Sequence, residues 1–148
     1  MVAQATPSVS RTYVAPGSDG IAHGTPADED IFATGGGQTL MGGGGNDIFH
    51  IGTFTDATIV VPVGGGVTEV STWAGGYTLP DGVDNLIGEG DYAHTLTGNS
   101  GDNVIMGAGS NDTIDGGPGD DVLIGGSGRD TFIERAGEGN DTVHFEVG

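Results

Sequence analysis

Bulky apolar residues recur every nine positions along two stretches of the chain, separated by polar segments rich in glycine. Cut into nonapeptide rows, residues 98–133 read GNSGDNVIM, GAGSNDTID, GGPGDDVLI and GGSGRDTFI, and residues 24–50 read GTPADEDIF, ATGGGQTLM and GGGGNDIFH. The eighth position of every row is apolar: Ile31, Leu40, Phe49, Ile105, Ile114, Leu123 and Phe132. The last three residues of a row suit a short strand, in which period-two alternation turns the eighth side chain inward.

The first six residues of each row must then reverse the chain. Glycine reaches φ > 0 without strain and lets backbone carbonyls converge. Two rows, 18 residues, make one coil, and strands of successive coils pair in parallel about 4.8 Å apart. We therefore predict an all-β fold, a parallel β-roll (a β-solenoid), with almost no helix. Sixth residues of rows two apart should stack: Asn103 over Asp121, Asp112 over Asp130 and Glu29 over Asp47.

The chain of 148 residues is long enough for one domain. Residues 1–23 resemble a Pro/Ser/Thr linker and lack the features of a signal peptide. Residues 24–148 are predicted to form a single module: a repeat block (24–50), an irregular β insertion (51–97), a second repeat block (98–133) and a C-terminal cap (134–148). The two blocks are out of phase, since 98 minus 42 is 56, two more than six nonapeptides. The insertion is therefore expected to bulge from the roll or to cap it.

Composition narrows the possible partners. Acids outnumber bases 21 to 3, the net charge is −18, and cysteine is absent. Such numbers are typical of disorder, but disordered chains do not keep a strict nine-residue period. The acidity argues against nucleic acid and anionic membrane surfaces as partners, and no apolar run approaches the roughly 18 residues of a membrane span. A multivalent cation suits this charge, and the isolated module is expected to be a monomer.

The stacked carboxylates indicate which cation. Two unit charges about 5 Å apart repel by roughly 1 kcal/mol in water and by about 3 kcal/mol at an effective dielectric of 20. A hard cation between the layers attracts both carboxylates, so that their interaction with it becomes favourable. Calcium takes 6–8 oxygen ligands in flexible geometry, whereas magnesium demands an octahedron. Zinc would want His and Cys, and the four histidines are scattered. Several Ca²⁺ ions are therefore predicted.

The rows resemble the GGxGxDxUx nonapeptides of RTX, or haemolysin-type, calcium-binding proteins. Carried over row by row, the resemblance implies carboxylate ligands at Asp47, Asp112, Asp121 and Asp130 and an amide ligand at Asn103. The candidate metal-site residues also include Glu29 and the turn glycines Gly42, Gly44, Gly107, Gly109, Gly116, Gly119, Gly125 and Gly128. Rows with Glu29 or Gln38 in place of Asp, or with Ala27 or Ser110 in place of glycine, are expected to bind weakly. The alternative is that the acids are solvated turn residues.

The resemblance also implies a secreted, extracellular protein whose repeats fold once they meet calcium. Catalysis is not expected, because the chain lacks H-E-x-x-H, G-x-S-x-G and a P-loop lysine. One interpretation is a calcium-driven secretion, folding or adhesion module with no small ligand of its own.

The other interpretation is an accessory module that binds a polysaccharide and is attached to a secreted carbohydrate-active enzyme. Its candidate residues lie in the middle segment, whose GGYTLPDGVDNLIGEG stretch resembles segments that precede the repeats in large RTX proteins. Trp73, Tyr77 and Tyr92 could stack on sugar rings, with Asp81, Asp84 and Asp91 nearby. Alternatively, Trp73 and Tyr77 cap the core of the roll.

Overall fold

The computed structural model describes residues 12–145, so the predicted linker character of residues 1–11 lies outside it. Within 12–145 the chain forms strands and turns and no helix. The strands are β1 (Thr12–Val14), β2 (Ile21–His23), β3 (Glu29–Phe32), β4 (Thr39–Met41), β5 (Asp47–Gly52), β6 (Thr58–Val60), β7 (Thr68–Thr72), β8 (Gly76–Thr78), β9 (Asn85–Gly88), β10 (Thr95–Thr97), β11 (Val104–Met106), β12 (Thr113–Asp115), β13 (Val122–Ile124), β14 (Thr131–Ile133) and β15 (Thr142–His144).

The strands alternate between two walls of a parallel β-roll, as predicted. Odd-numbered strands form one eight-stranded sheet in the order β1-β3-β5-β7-β9-β11-β13-β15. Even-numbered strands form the opposite wall, which is divided into β2-β4-β6 and β8-β10-β12-β14. Each pair of neighbours is parallel, because the chain returns to each wall only after a full coil.

The core is the ladder of eighth-position side chains between the walls. Six of the seven predicted members are fully buried, and Phe132, on the end strand β14, is partly buried. Each buried Leu, Ile or Phe contributes about 2 kcal/mol through apolar area removed from water. The strands show the expected alternation, since in β13 only the central Leu123 is buried.

Residues 51–97 neither bulge from the roll nor cap it, so that expectation is wrong. Val70 pairs with Phe49 on one side and with Leu86 on the other, and Leu86 pairs with Ile105. These registers give coils of 21, 16 and 19 residues, which together make up the 56-residue offset between the two repeat blocks. The segment is irregular in coil length, and the wall of even-numbered strands is interrupted within it, between β6 and β8. Its extra and missing residues fall in turns and at a bulge between His50 and Gly52, where no core position is displaced.

The roll also extends beyond both repeat blocks. β1 and β2 lie in the segment predicted as linker, and they pair with β3 and β4 of the first repeat block. Within the segment predicted as a cap, β15 pairs with β13. The guanidinium of Arg135 donates to both carboxylate oxygens of Asp115, at 2.9 and 2.7 Å, and ties this last coil to the one before it.

Candidate metal centre

The turns form two stacks, one along each edge of the roll. Each turn ends at a sixth position, which stands two residues before the core residue of the strand that follows. Turn stack 1 leads into the eight-stranded sheet, and its sixth positions are Glu29, Asp47, Thr68, Asp84, Asn103, Asp121 and Asp141. Turn stack 2 leads into the opposite wall, and its sixth positions are Gly20, Gln38, Ala57, Gly75, His94, Asp112 and Asp130.

Side-chain to backbone hydrogen bonds hold successive turns in register. Asp47 Oδ1 accepts from the N–H of Glu29 at 3.1 Å and Asp121 Oδ1 from that of Asn103 at 2.7 Å. Asp130 Oδ1 accepts from the N–H of Asp112 at 2.9 Å. The three predicted stacked pairs are therefore confirmed. In each of these pairs the later sixth side chain reaches back to the coil before it.

Fifth-position side chains reach in the opposite direction. Asp102 Oδ1 accepts from the N–H of Asp120 at 2.9 Å, one coil further along. Asp28 Oδ1 accepts in the same way from the N–H of Asn46 at 2.8 Å. These aspartate side chains therefore hold neighbouring coils together through hydrogen bonds, in addition to contributing negative charge.

Glycine is required where the turns crowd oxygen atoms together. A Cβ on the first residue of a row would collide with the carboxylate of the sixth residue, as for Gly42, Gly107, Gly116 and Gly125. A Cβ on the fourth residue would collide with a carbonyl group of the neighbouring coil, as for Gly119 and Gly128. Of the third-position glycines, Gly44 has φ 139° and Gly109 pairs with Ser127 in an isolated bridge. Carboxylate and carbonyl oxygens therefore converge on the gaps between coils.

Two of the predicted ligands have an unsatisfied oxygen. The side chains of Asp112 and Asp121 are buried, and the Oδ2 atom of each has no hydrogen-bond partner among the described residues. Burial raises the pKa of both carboxyls above the ordinary aspartate value. Buried polar atoms without partners are costly and uncommon. A hard cation would satisfy these atoms, and the donors around them are the oxygens that calcium prefers.

Backbone carbonyls must complete such a site. Within residues 12–145 no three His, Cys, Asp or Glu side chains come together in a group able to hold a metal ion. One carboxylate from a turn, joined by carbonyls from that turn and the next, is the donor set that the stacks offer.

Asn103 and Glu29 satisfy their side chains within the protein. Asn103 Oδ1 accepts from the N–H of Asn99 at 2.8 Å, and its amide nitrogen donates to the carbonyls of Val83 and Asp84 at 3.1 and 3.2 Å. Glu29 accepts from the backbone N–H of Thr25 at 3.1 Å and from its hydroxyl. Their role as metal ligands stays a prediction, because N–H and O–H groups of the protein already donate to the oxygen atoms that a cation would otherwise bind.

Three sixth-position residues were missed by the sequence analysis. Asp84 Oδ2 accepts from the N–H of Thr68 at 2.7 Å, and Asp141 Oδ1 accepts from the N–H of Asp121 at 2.9 Å. Both have a sequence signal, because DNLI (84–87) and AGEGNDTVH (136–144) follow the repeat pattern. The third, His94, stands where the next two coils carry Asp112 and Asp130.

The predicted aromatic residues separate into two environments. Tyr77 lies in the core ladder beside Leu96 and is 8% exposed. Trp73 and Tyr92 are 53% and 38% exposed. The Tyr92 hydroxyl donates to the Trp73 carbonyl, and both rings flank Gly90, where a Cβ would lie 2.8 Å from the Tyr92 ring and 3.1 Å from the Trp73 ring. We call Trp73 and Tyr92 the aromatic pair.

The carboxylates expected near these aromatics also separate. Asp81 and Asp84 lie in turn stack 1, where they line a cavity of about 420 Å³ together with residues 61–66. The aromatic pair lies at turn stack 2, on the opposite edge of the roll. Only Asp91, which is exposed and adjacent to Tyr92, stays on the same edge.

An all-parallel roll with oxygen-lined turn stacks defines a calcium-binding repeat module. The family model described as the RTX calcium-binding nonapeptide repeat matches residues 23–56 and 97–132, in four copies. These two blocks are RTX repeats, as predicted, and bind Ca²⁺, with several copies implying several ions. The repeat is a structural calcium-binding unit and not a catalytic one.

A curated relative is similar over a longer stretch that covers part of both proteins. The "Endo-1,3-1,4-beta-glycanase ExsH" of Rhizobium meliloti (strain 1021) is 37% identical over 98 residues, 64% of this chain and 20% of that protein. The chain thus matches about a fifth of the length of this relative. No solved structure matches the chain. None of the elements described between residues 12 and 145 is a helix long and apolar enough to cross a membrane.

Proposed function

We propose that the chain is an extracellular module that folds on binding calcium and that binds a polysaccharide beside a secreted carbohydrate-active catalytic domain. The calcium part rests on the RTX repeats and on the buried, partnerless Oδ2 atoms of Asp112 and Asp121. The polysaccharide part rests on the aromatic pair, supported by a relative that is named as a glycanase.

Asp47, Asp112, Asp121 and Asp130 would hold the ions, together with backbone carbonyls of the turns. Such sites exist only when coils are stacked, so the free energy of binding is free energy of folding. Calcium would supply charge compensation inside each stack. Without it, the net charge of −18 favours an open chain, which suits a protein that folds only after leaving a calcium-poor compartment.

Single substitutions test this ligand assignment. Asp121→Ala and Asp130→Ala should weaken calcium binding and lower the melting temperature together, because each removes a turn carboxylate. Asp56→Ala is the matched control, since Asp56 is exposed and lies beyond the nonapeptide rows of residues 24–50. Isothermal titration calorimetry with calcium measures the binding, and thermal melting in calcium measures the change in melting temperature. A larger loss with Asp56→Ala than with Asp121→Ala would refute the assignment.

The aromatic pair suits the face of a sugar ring. Aromatic rings of this kind combine an apolar face with a polar edge. The bond from the Tyr92 hydroxyl to the Trp73 carbonyl fixes the two residues relative to each other, so little ordering is needed on binding. Asp91 could accept hydrogen bonds from sugar hydroxyls. Because few groups converge, we expect micromolar to millimolar dissociation constants; micromolar binding corresponds to about −8 kcal/mol.

Retention on mixed-linkage β-1,3-1,4-glucan in affinity electrophoresis, with calcium present, tests the polysaccharide proposal. Trp73→Ala should lose retention while keeping the calcium-induced circular dichroism spectrum. Tyr13→Ala removes another exposed aromatic side chain, in β1, and should bind like the parent. A folded Trp73→Ala variant with undiminished retention would rule out the aromatic pair. A parent chain that binds no glucan would favour the folding, secretion or adhesion module instead.

A further inference from the structure

His94 replaces a carboxylate in turn stack 2 without changing the backbone. Its N–H donates to Asp112 Oδ1 at 2.7 Å, as the N–H of Asp112 donates to Asp130 Oδ1. Its imidazole also lies where a carboxylate lies in the next coil. A Cβ on Gly88 would be 3.1 Å from His94 Nδ1 and 3.2 Å from the Gly107 carbonyl oxygen. A Cβ on Gly107 would meet Asp112 Oδ2 and the Gly125 carbonyl oxygen in the same way.

The imidazole is enclosed and makes no hydrogen bond within residues 12–145. The side chains of His94 and Asp112 are both 0% exposed, with Nδ1 3.4 Å from Asp112 Oδ1. Neither ring nitrogen of His94 has a hydrogen-bond partner among the described residues, and neither has Asp112 Oδ2. The Tyr92 ring covers the imidazole at a centroid distance of 4.7 Å. A neutral imidazole carries one donor and one acceptor, so packing alone leaves both unsatisfied.

We propose that His94 and Asp112 bind a transition-metal ion of the Zn²⁺ type in the calcium-folded roll. The donors are His94 Nδ1, Asp112 Oδ1, which lies 3.4 Å from it, and the Gly107 carbonyl oxygen. Asp112 Oδ2 lies beside the Gly125 carbonyl oxygen of the next coil and is left to calcium. Calcium takes oxygen ligands, whereas imidazole suits zinc, copper and nickel. The position-six ladder of turn stack 2 thus changes from oxygen to nitrogen at the coil of His94, and the metal preference changes with it.

Zinc titration of the untagged chain in saturating calcium tests this site by isothermal calorimetry. The parent should bind one Zn²⁺, and His94→Gln should weaken that binding about tenfold or more, since even outer-shell changes cost 10–100-fold. His94→Asp restores the usual residue of the row and should exchange the zinc site for an additional calcium site. The control variant carries His23→Gln and His144→Gln, both at exposed histidines, and should keep the zinc affinity of the parent.

Long-range ¹H–¹⁵N spectra of the imidazoles give a second readout, in which Zn²⁺ should shift a ring nitrogen of His94. Equal zinc isotherms for the parent and a folded His94→Gln or His94→Asp variant would overturn the proposal. So would zinc binding that calcium abolishes by competition, because the zinc would then occupy calcium sites. If His94→Gln does not fold with calcium, the comparison of parent and His94→Asp decides.

Discussion

Asp121→Asn should have opposite effects on stability with and without calcium. Asp121 Oδ1 accepts from the N–H of Asn103, and its Oδ2 is buried without a partner. An asparagine at this position retains an oxygen for the N–H and removes the charge. Asn103 already occupies the equivalent position one coil earlier, so the turn accommodates the amide.

The magnitude follows from the stacking of Asp121 against Asp141, whose Oδ1 accepts from the N–H of Asp121. Two carboxylates one coil apart, about 5 Å, repel by about 3 kcal/mol at an effective dielectric of 20. Without calcium, the substitution should therefore stabilise the roll by up to about 3 kcal/mol. With calcium at about 1,000 times its dissociation constant, a lost site removes about 4.1 kcal/mol of linked stability. This loss exceeds the gain of up to about 3 kcal/mol, and the variant should then be the less stable protein.

Folding followed by circular dichroism tests both signs. In chelator, trimethylamine oxide, which favours burial, should fold Asp121→Asn at a lower concentration than the parent. In calcium, Asp121→Asn should melt at a lower temperature than the parent. Asp102→Asn is the matched control, because Asp102 also accepts a backbone N–H but is exposed, and it should change little in either condition. An Asp121→Asn variant that is harder to fold in chelator and keeps the calcium dependence of the parent would refute both the repulsion between the carboxylates and the calcium site at Asp121.

Three further changes follow from the same turns. Ala108 has φ 78°, so Ala108→Gly should gain about 1 kcal/mol by releasing left-handed strain; a lower melting temperature in calcium would contradict this. Gly116→Ala places a Cβ against the Asp121 carboxylate, so it should lower the free energy of unfolding by about 1–3 kcal/mol and weaken calcium binding. Gly35→Ala is the control, because its Cβ would lie 3.7 Å from the nearest atom, and it should change the melting temperature little. Because burial raises the pKa of Asp112 and Asp121, the calcium-free roll should gain stability as pH falls through the raised values, down to the ordinary aspartate value. Calcium binds the ionised carboxylates, so the calcium-bound roll should lose stability over the same pH range; the same slope in both conditions would contradict this.

Much of the fold follows from periodicity alone. An apolar side chain every nine residues specifies the core ladder, and the 18-residue spacing specifies the stacked pairs such as Asn103 and Asp121. The middle segment was misjudged because its coils have different lengths. Val70, Leu86 and Leu96 keep their places in the core, but the turns between them vary, and no single period can detect that.

The candidate sites were less predictable than the fold. The residues around Tyr77 do not distinguish a core position from a surface position, and only the pairing of Tyr77 with Leu96 places it in the core ladder. The repeat pattern does not identify His94 as a sixth-position residue, because its row, EGDYAHTLT, lacks both the first glycine and the aspartate of the pattern. The Oδ2 atoms of Asp112 and Asp121 lack partners because no hydrogen-bond donor of the neighbouring described coils reaches them. The positions of those donors cannot be read from the sequence.

Circular dichroism of the chain in chelator and then in calcium tests most directly the claim that calcium folds the roll. If calcium folds the roll, the chain should give the spectrum of a largely unfolded chain in chelator, a β spectrum on addition of calcium, and a much smaller change with the same concentration of magnesium. A β spectrum that is the same in chelator and in calcium would contradict that claim, because the stacked carboxylates would then need no cation.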